Sequence, residues 1–470
     1  MSTDTARRAA PWLLPILLLL VAGSLRFYKL GYPDRIYFDE TYYANDANQY
    51  LLRGVEEGFA VHPPVGKWLI AGGIEVFGFD SFGYRAAAAA VGTATVGVTY
   101  LAALRLFRRR GTAALTALLV AVDGLAFTMS RIAMLDIFLA CFVTLGFWLL
   151  LVDRDRMWQG APAAGEPPPA EPRYLPHRPH AYRWLAGIAF GLALATKWSA
   201  VLAILCAGVF VAVSEVAWRR RMTGSLYARP ERIVLSGLLT LVVVPLVVYV
   251  ASYAGWFANF SETRLGKDVT LSGPVQERTF SMIETWWHDQ RDIGNFHKDL
   301  DAEHPYRSPA DGWALMARPV AYYYENCTPE REPDNPCVTS AENVEEILGV
   351  GNPAIWWPAL GAYLYLLWGL VYHRDWQAGA ILLFLLGQYL PWLASPRPAF
   401  FFYATPIVPF IALALTYTGW RLQRRPELRW IPAVIATAAV AGFLFWYPLF
   451  VGLEIPRSAW DLRIISNRWI

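Results

Sequence analysis

The recurrence of apolar runs about 17–25 residues long, each able to cross a bilayer as a helix, constrains this chain most. About eleven such segments can be read, near residues 11–29, 84–106, 112–129, 134–152, 183–197, 199–217, 233–255, 354–372, 377–394, 399–420 and 430–452. Of the 470 residues, 56% are hydrophobic and only 17% charged, against about 25% charged in an ordinary soluble domain. The expectation is an all-α polytopic membrane protein.

Charge sets the orientation. Arg7 and Arg8, Arg108 to Arg110, Arg154 and Arg156, Arg219 to Arg221, Arg374, and Arg421, Arg424 and Arg425 sit at alternate segment ends. With a cytoplasmic N-terminus, all of them fall on the cytoplasmic side, as the positive-inside rule requires. The C-terminus then lies outside. Arginines confined to segment ends also argue against a nucleic-acid surface. The first segment has the basic start and apolar middle of a signal peptide, but its apolar character persists to Phe27, so it reads as a span. Three regions follow: a membrane module 1–255 with an outer loop 31–83, an outer loop domain 256–353, and a membrane module 354–470.

The outer loop 31–83 holds Phe38-Asp39-Glu40, two adjacent carboxylates at a bilayer edge, where a desolvated charge needs a partner or a task. Further along, His62-Pro63-Pro64 forms a stiff turn that presents an imidazole, followed by Lys67. Other outer positions carry Arg85, Arg131, Asp136, Lys197, His304 and Arg397. Cations near span ends commonly snorkel to headgroups, yet these lie on the side opposite the arginine clusters. Cations beside an acid pair suit an anionic lipid phosphate bound next to a general base. A sugar carried on a lipid phosphate needs cations for the departing phosphate, one carboxylate for the acceptor's proton, and a groove for the lipid tail.

The 256–353 region interleaves aromatic and polar residues, reading as a sugar or peptide platform or as a packed lid. Its His288, His297 and His304 lack HExxH or comparable spacing, so no metal or other cofactor is expected. Cys327 and Cys337 flank a Pro- and Glu-rich turn outside, where oxidation favours a disulfide; Cys141 and Cys206 lie within spans as packing residues. Residues 153–183 are a Pro-rich cytoplasmic linker. Neither an internal repeat nor mid-depth charge is visible, which disfavours a transporter.

Phe38-Asp39-Glu40, His62-Pro63-Pro64, Ser130-Arg131 with Leu135-Asp136, His304-Pro305-Tyr306 with Ser308 and Trp313, Arg318-Pro319, Tyr322 to Tyr324, and Phe402-Tyr403 with Pro406 together resemble the protein O-mannosyltransferases. The resemblance covers nearly the whole chain. It implies the GT-C glycosyltransferase fold and inverting transfer of mannose from polyprenyl-phosphate-mannose to Ser or Thr of proteins crossing the cell membrane, at its extracytoplasmic face. Asp39 would be the general base and Glu40 would orient acceptor or sugar. Arg85, Arg131, Lys197, His304 and Arg397, with His62 and Lys67, would bind the donor phosphate or sugar. Asp136, Tyr306 and Trp313 would serve the acceptor side. The outer loop is too short for the added β-trefoil domain of eukaryotic members, which resembles the actinobacterial branch and implies acceptors delivered during Sec export, with the translocon as a candidate partner. The alternative within the fold is a transferase with a lipid or glycan acceptor, such as an aminoarabinose or arabinofuranose transferase.

Overall fold

A computed structural model describes residues 3–56, 58, 60–159, 161–162, 166, 180–224, 230–301, 304–326 and 342–469. In chain order the helices begin with α1 (Thr3–Phe27), α2 (Glu40–Arg53), α3 (Val65–Phe77), α4 (Ser81–Phe107), α5 (Arg110–Ala121), α6 (Gly124–Met129), α7 (Asp136–Met157), α8 (Ala181–Leu194) and α9 (Ala200–Thr223). They continue with α10 (Pro230–Leu238), α11 (Val244–Ala251), α12 (Ala254–Ala258), α13 (Val275–Asp299), α14 (Pro353–His373), α15 (Trp376–Leu393), α16 (Val408–Leu422), α17 (Ile431–Val451) and α18 (Arg457–Asp461).

Every one of the expected apolar segments is helical. Among the described residues, seven helices are long and apolar enough to cross a membrane, and three shorter apolar helices, Trp12–Phe27, Arg110–Ala121 and Ala181–Leu194, accompany them. The 112–129 segment is not continuous, because Asp123 breaks it. One Asp123 carboxylate oxygen accepts the Ala126 N–H and caps α6, while the other accepts the Asn352 N–H and the Trp356 indole N–H, tying the break to α14. The 399–420 segment likewise opens as a 3₁₀ turn, Phe401–Ile407, before α16. α10 and α11 join through a π turn, Leu239–Val243. Gly187 of α8 lies so close to it that an added Cβ would sit 2.0 Å from the Thr240 carbonyl oxygen.

Packing follows from which faces are apolar all round. α7 and α16 are buried almost throughout, and Phe147 of α7, Phe384 of α15 and Phe410 of α16 cluster in the core, with Phe384 stacked on Phe410 and centroids 4.8, 5.1 and 5.5 Å apart. Each such pair contributes about 0.5–1.5 kcal/mol beyond its buried area. By contrast Val201, Leu205, Val209 and Val213 of α9, spaced one turn apart, all face outward as a bilayer-facing stripe. Arg183 of α8 is bridged to Asp153 of α7 at 2.8 Å and also to Glu215 of α9, so the ends of these three helices are pinned by a buried ionic cluster.

The all-α expectation needs one correction. The 256–353 region contributes β1 (Val320–Asn326) and β2 (Asn343–Gly349), and β3 (Ile455–Pro456) completes an antiparallel sheet in the order β1-β2-β3. Val320 and the aromatic run Tyr322 to Tyr324 suit a strand, where β-branched and aromatic side chains pack on a pleated surface. Because β3 follows α17 and pairs with β2, the 256–353 region and the C-terminal segment lie at the same end of the bundle. Cys327 and Cys337 lie outside the described residues; Cys141 and Cys206 are free and buried.

Candidate active site

The site is built where the N-terminus of α2 meets the ends of α4, α7 and α9. Phe38 adopts a left-handed backbone, φ 53°, unusual for a bulky residue. Its ring is held edge-on by Tyr322, Phe402 and His304 at 5.0, 5.9 and 6.3 Å. That clamp turns the chain so that the next two carboxylates part ways.

Glu40 turns inward and is fully buried. It takes a bidentate pair from Arg85, Nε at 2.8 Å and Nη2 at 2.9 Å, and accepts the backbone N–H of Ala133 at 3.0 Å. The remaining Arg85 donors go to the carbonyls of Leu30, Pro33 and Arg35. A guanidinium has five N–H donors, and all five are committed within the protein. Arg85 therefore positions Glu40 and has no donor left for a phosphate, and Glu40 has no free oxygen for acceptor or sugar. Arg131 turns its Nη1 to the carbonyls of Leu25, Arg26 and Tyr28 and its Nη2 to that of Lys29, so its guanidinium is anchored at the end of α1. Lys67 is buried between Asp46, at 3.0 Å, and Glu56, which joins α3 to α2 rather than reaching a ligand. Trp313 is 1% exposed and donates its indole N–H to the Ser308 carbonyl, so it is a core residue and not an acceptor contact.

Asp39 differs from its neighbour. It stands at the N-terminal boundary of α2 but accepts no side-chain cap bond, and no described residue donates a hydrogen bond to its carboxylate. Burial pushes its pKa up to about 6, opposed by the charge of Lys197 and reinforced by that of Asp136. Lys197 in turn grips Asp136 through both carboxylate oxygens, at 2.8 and 3.0 Å, and lies 4.3 Å from the centre of the Tyr403 ring.

Lys197 also borders a cavity of about 290 Å³ with His62, His297, Arg397, Tyr403, Trp198 and Ser199 in its wall. Arg397 donates to Nδ1 of His297 at 3.1 Å, and Nε2 of His297 bonds the Val61 carbonyl at 2.8 Å. These contacts specify a neutral imidazole with its proton on Nε2. Burial and the adjoining Arg397 hold the His297 pKa down at about 4. Burial and the charge of Lys197 likewise keep His62 well below the usual range, so His62 is a neutral polar group rather than a cation. Nδ1 of His62 and Nε of Arg397 are buried without a partner among the described residues. His304 is exposed at the rim, packed on Phe400 at 5.1 Å and on Tyr306 at 5.9 Å.

Of the expected residues, then, Asp39, Asp136, Lys197, His62 and Arg397 converge, with His304 and Tyr306 at the margin. His297 is the residue that sequence reasoning passed over. Its partner Val61 is 236 positions away, and no local pattern joins them.

The family follows from comparison with known proteins. A model of dolichyl-phosphate-mannose-protein mannosyltransferase matches residues 16–81 and 80–260, and one of the C-terminal four-span region of protein O-mannosyltransferase matches 282–469. The chain belongs to the protein O-mannosyltransferase family. A polyprenol-phosphate-mannose–protein mannosyltransferase of Mycolicibacterium smegmatis (strain MKD8) is 33% identical, covering 98% of this chain and 93% of its own. The enzyme of that name from Mycobacterium tuberculosis (strain ATCC 25618 / H37Rv) is 31% identical over 98% of this chain and 92% of its own. Among solved structures, the Saccharomyces cerevisiae protein O-mannosyltransferase Pmt1-Pmt2 complex bound to the sugar donor matches with TM-score 0.77 and 14% identity, over 98% of this chain and 93% of that one. ArnT of Cupriavidus metallidurans matches with TM-score 0.56 and 17% identity, over 95% and 77%. These likenesses show that this O-mannosyltransferase family member has the multi-span glycosyltransferase fold expected from its sequence.

Proposed function

We propose that this protein transfers mannose from a polyprenyl-phosphate-mannose to Ser or Thr hydroxyls of exported polypeptides, with inversion at the sugar. Family membership supports the mannosyl donor and protein acceptor. The observation that carries the mechanism is the contrast between Asp39, uncommitted and raised in pKa to about 6, and Glu40, locked by Arg85.

Asp39 takes the proton of the acceptor hydroxyl as its oxygen bonds to the anomeric carbon from the face opposite the phosphate. The bond from that carbon to the phosphate oxygen breaks, and its electron pair leaves with the prenyl phosphate. Lys197 and Arg397 at the 290 Å³ cavity stabilise the departing anion, with the imidazole of His62 adding a neutral donor, while His297, its one N–H already spent on the Val61 carbonyl, holds Arg397 in place. Asp136 keeps Lys197 extended toward the cavity, and Phe38 keeps Asp39 turned out of the helix. His304 and Tyr306 sit where an acceptor chain would pass. The reaction belongs to the extracytoplasmic face of the cell membrane, with acceptors supplied by the Sec translocon.

Incubating membranes that hold the full chain with radiolabelled polyprenyl-phosphate-mannose and a Thr/Pro-rich secretory peptide tests this reading. Label in the peptide is the expected result. Label in lipid or glycan instead would transfer the protein to the aminoarabinose or arabinofuranose type of reaction.

A further inference from the structure

A second cavity, about 490 Å³, opens between α1, α5, α16 and α17. It lies near the C-terminal end of α16, whereas Tyr403 of the site precedes the start of that helix. The length of α16 separates the two by about 20 Å at 1.5 Å per residue. The walls are mostly apolar, with Leu14, Leu18, Leu115 and Leu118 on one side. Leu14 is also exposed on the bilayer-facing surface of α1, so the cavity opens toward lipid.

Two lining residues carry buried polar atoms with no hydrogen-bond partner among the described residues: Oγ1 of Thr416 and Nε1 of Trp420. Thr416 is fully buried and Trp420 is 7% exposed. One turn-neighbour behaves differently, since the Thr418 hydroxyl bonds the Ala414 carbonyl at 3.1 Å. A buried N–H or O–H left unpaired is costly, so a partner supplied from outside is favoured. Basic charge gathers at the same place. Arg109 lines the cavity, and the Arg424 guanidinium lies 4.5 Å from the centre of the Trp420 ring. Nearby Arg421 and Arg108 are held by Asp375 and Asp155, at 2.6 and 2.7 Å. Arg109 and Arg424 pair with no carboxylate among the described residues.

We infer that this cavity is a binding site for an anionic glycerophospholipid. Arg109 and Arg424 take the phosphate as planar, multidentate donors, the Trp420 N–H and Thr416 O–H bond headgroup or ester oxygens, and one acyl chain lies along the leucines. A free phosphate would leave the apolar walls unoccupied. A second copy of the chain would have to thread a side chain into a recess that already opens on the bilayer.

The test uses the full chain purified in detergent and native mass spectrometry, with phosphatidylglycerol, phosphatidylcholine and glycerol 3-phosphate as probes. The wild-type protein retains phosphatidylglycerol about tenfold over phosphatidylcholine, because the two share the phosphate but the trimethylammonium of the latter cancels its charge and is repelled by Arg109 and Arg424. The Arg109→Ala/Arg424→Ala variant loses that preference. Trp420→Phe, which keeps the ring and removes only the N–H, weakens retention about threefold. The Trp420→Phe result stands alone if the double variant does not fold. Equal retention of the two lipids by wild type, or retention unaffected by Trp420→Phe, overturns the inference. Displacement of phosphatidylglycerol by an equal concentration of glycerol 3-phosphate also overturns it, in favour of a free-phosphate site.

Discussion

Adjacent residues in one sequence can have opposite physical fates, and Asp39 and Glu40 do. For Asp39→Asn the expected loss of mannosyl transfer is about 10²–10⁴-fold, the range of a general base, measured as label reaching the peptide. In the wild type kcat/KM rises with pH through about 6, because burial lifts Asp39 to that value and only the ionised form accepts a proton. Retained activity in the Asn variant, or a flat profile between pH 5 and 7, would remove Asp39 from the role. The same shift has a stability consequence. The folded pKa of about 6 stands above the ordinary 3.8, so the fold weakens as pH rises between those values and the penalty persists at neutral pH. Asp39→Asn is therefore expected to raise the thermal midpoint at pH 7 while slowing turnover by the factor given above. Glu40→Gln goes the other way. It leaves Arg85 without its countercharge in a buried position, a loss of about 3–5 kcal/mol, seen as a lower midpoint or failed expression.

The elements explain why these side chains stand where they do. α2 and α3 are held together by Lys67 between Asp46 and Glu56, and this join sets the distance from Asp39 at the start of α2 to His62 just before α3. Burial raises Glu56 from 4.5 to about 7 even with Lys67 beside it, whose charge opposes the rise. Lys67→Met removes that opposition, so the Glu56 carboxyl favours its neutral form still more strongly. Because the folded pKa lies above the unfolded one, the variant is stable at low pH and loses stability as pH rises through the folded value. Thermal unfolding of Lys67→Met at pH 5 and pH 8 checks this, and equal midpoints would refute it. Little of this was legible in the sequence. Lys67 after a His-Pro-Pro turn looks like an outer cation, because a sequence does not display that Glu56 and Asp46 curl back to it. Arg85 and Arg131 looked the same for the same reason. Only the folded chain shows that Glu40 and three carbonyls occupy every donor of Arg85, and that carbonyls at the end of α1 anchor Arg131. The sheet was hidden for another reason, since its third strand is two residues long and comes from the other end of the chain.

At the scale of the whole molecule, a bundle of apolar helices carries polar chemistry at one end and arginine clusters at the other. Transfer by cations and one carboxylate requires no Lewis acid, so full activity is expected in excess EDTA. Loss of activity restored by a divalent ion would reverse that expectation. The sequence by itself determined the membrane class, the positions of the helical segments and the family, because hydropathy and short motifs are local properties that survive without coordinates. It also brought Asp39, Lys197, His62 and Arg397 under suspicion. The tertiary structure decided which charged groups remain uncommitted. Burial and partnership depend on residues up to hundreds of positions apart, and a carboxylate or guanidinium becomes structural or chemical according to whether those distant neighbours have already satisfied it.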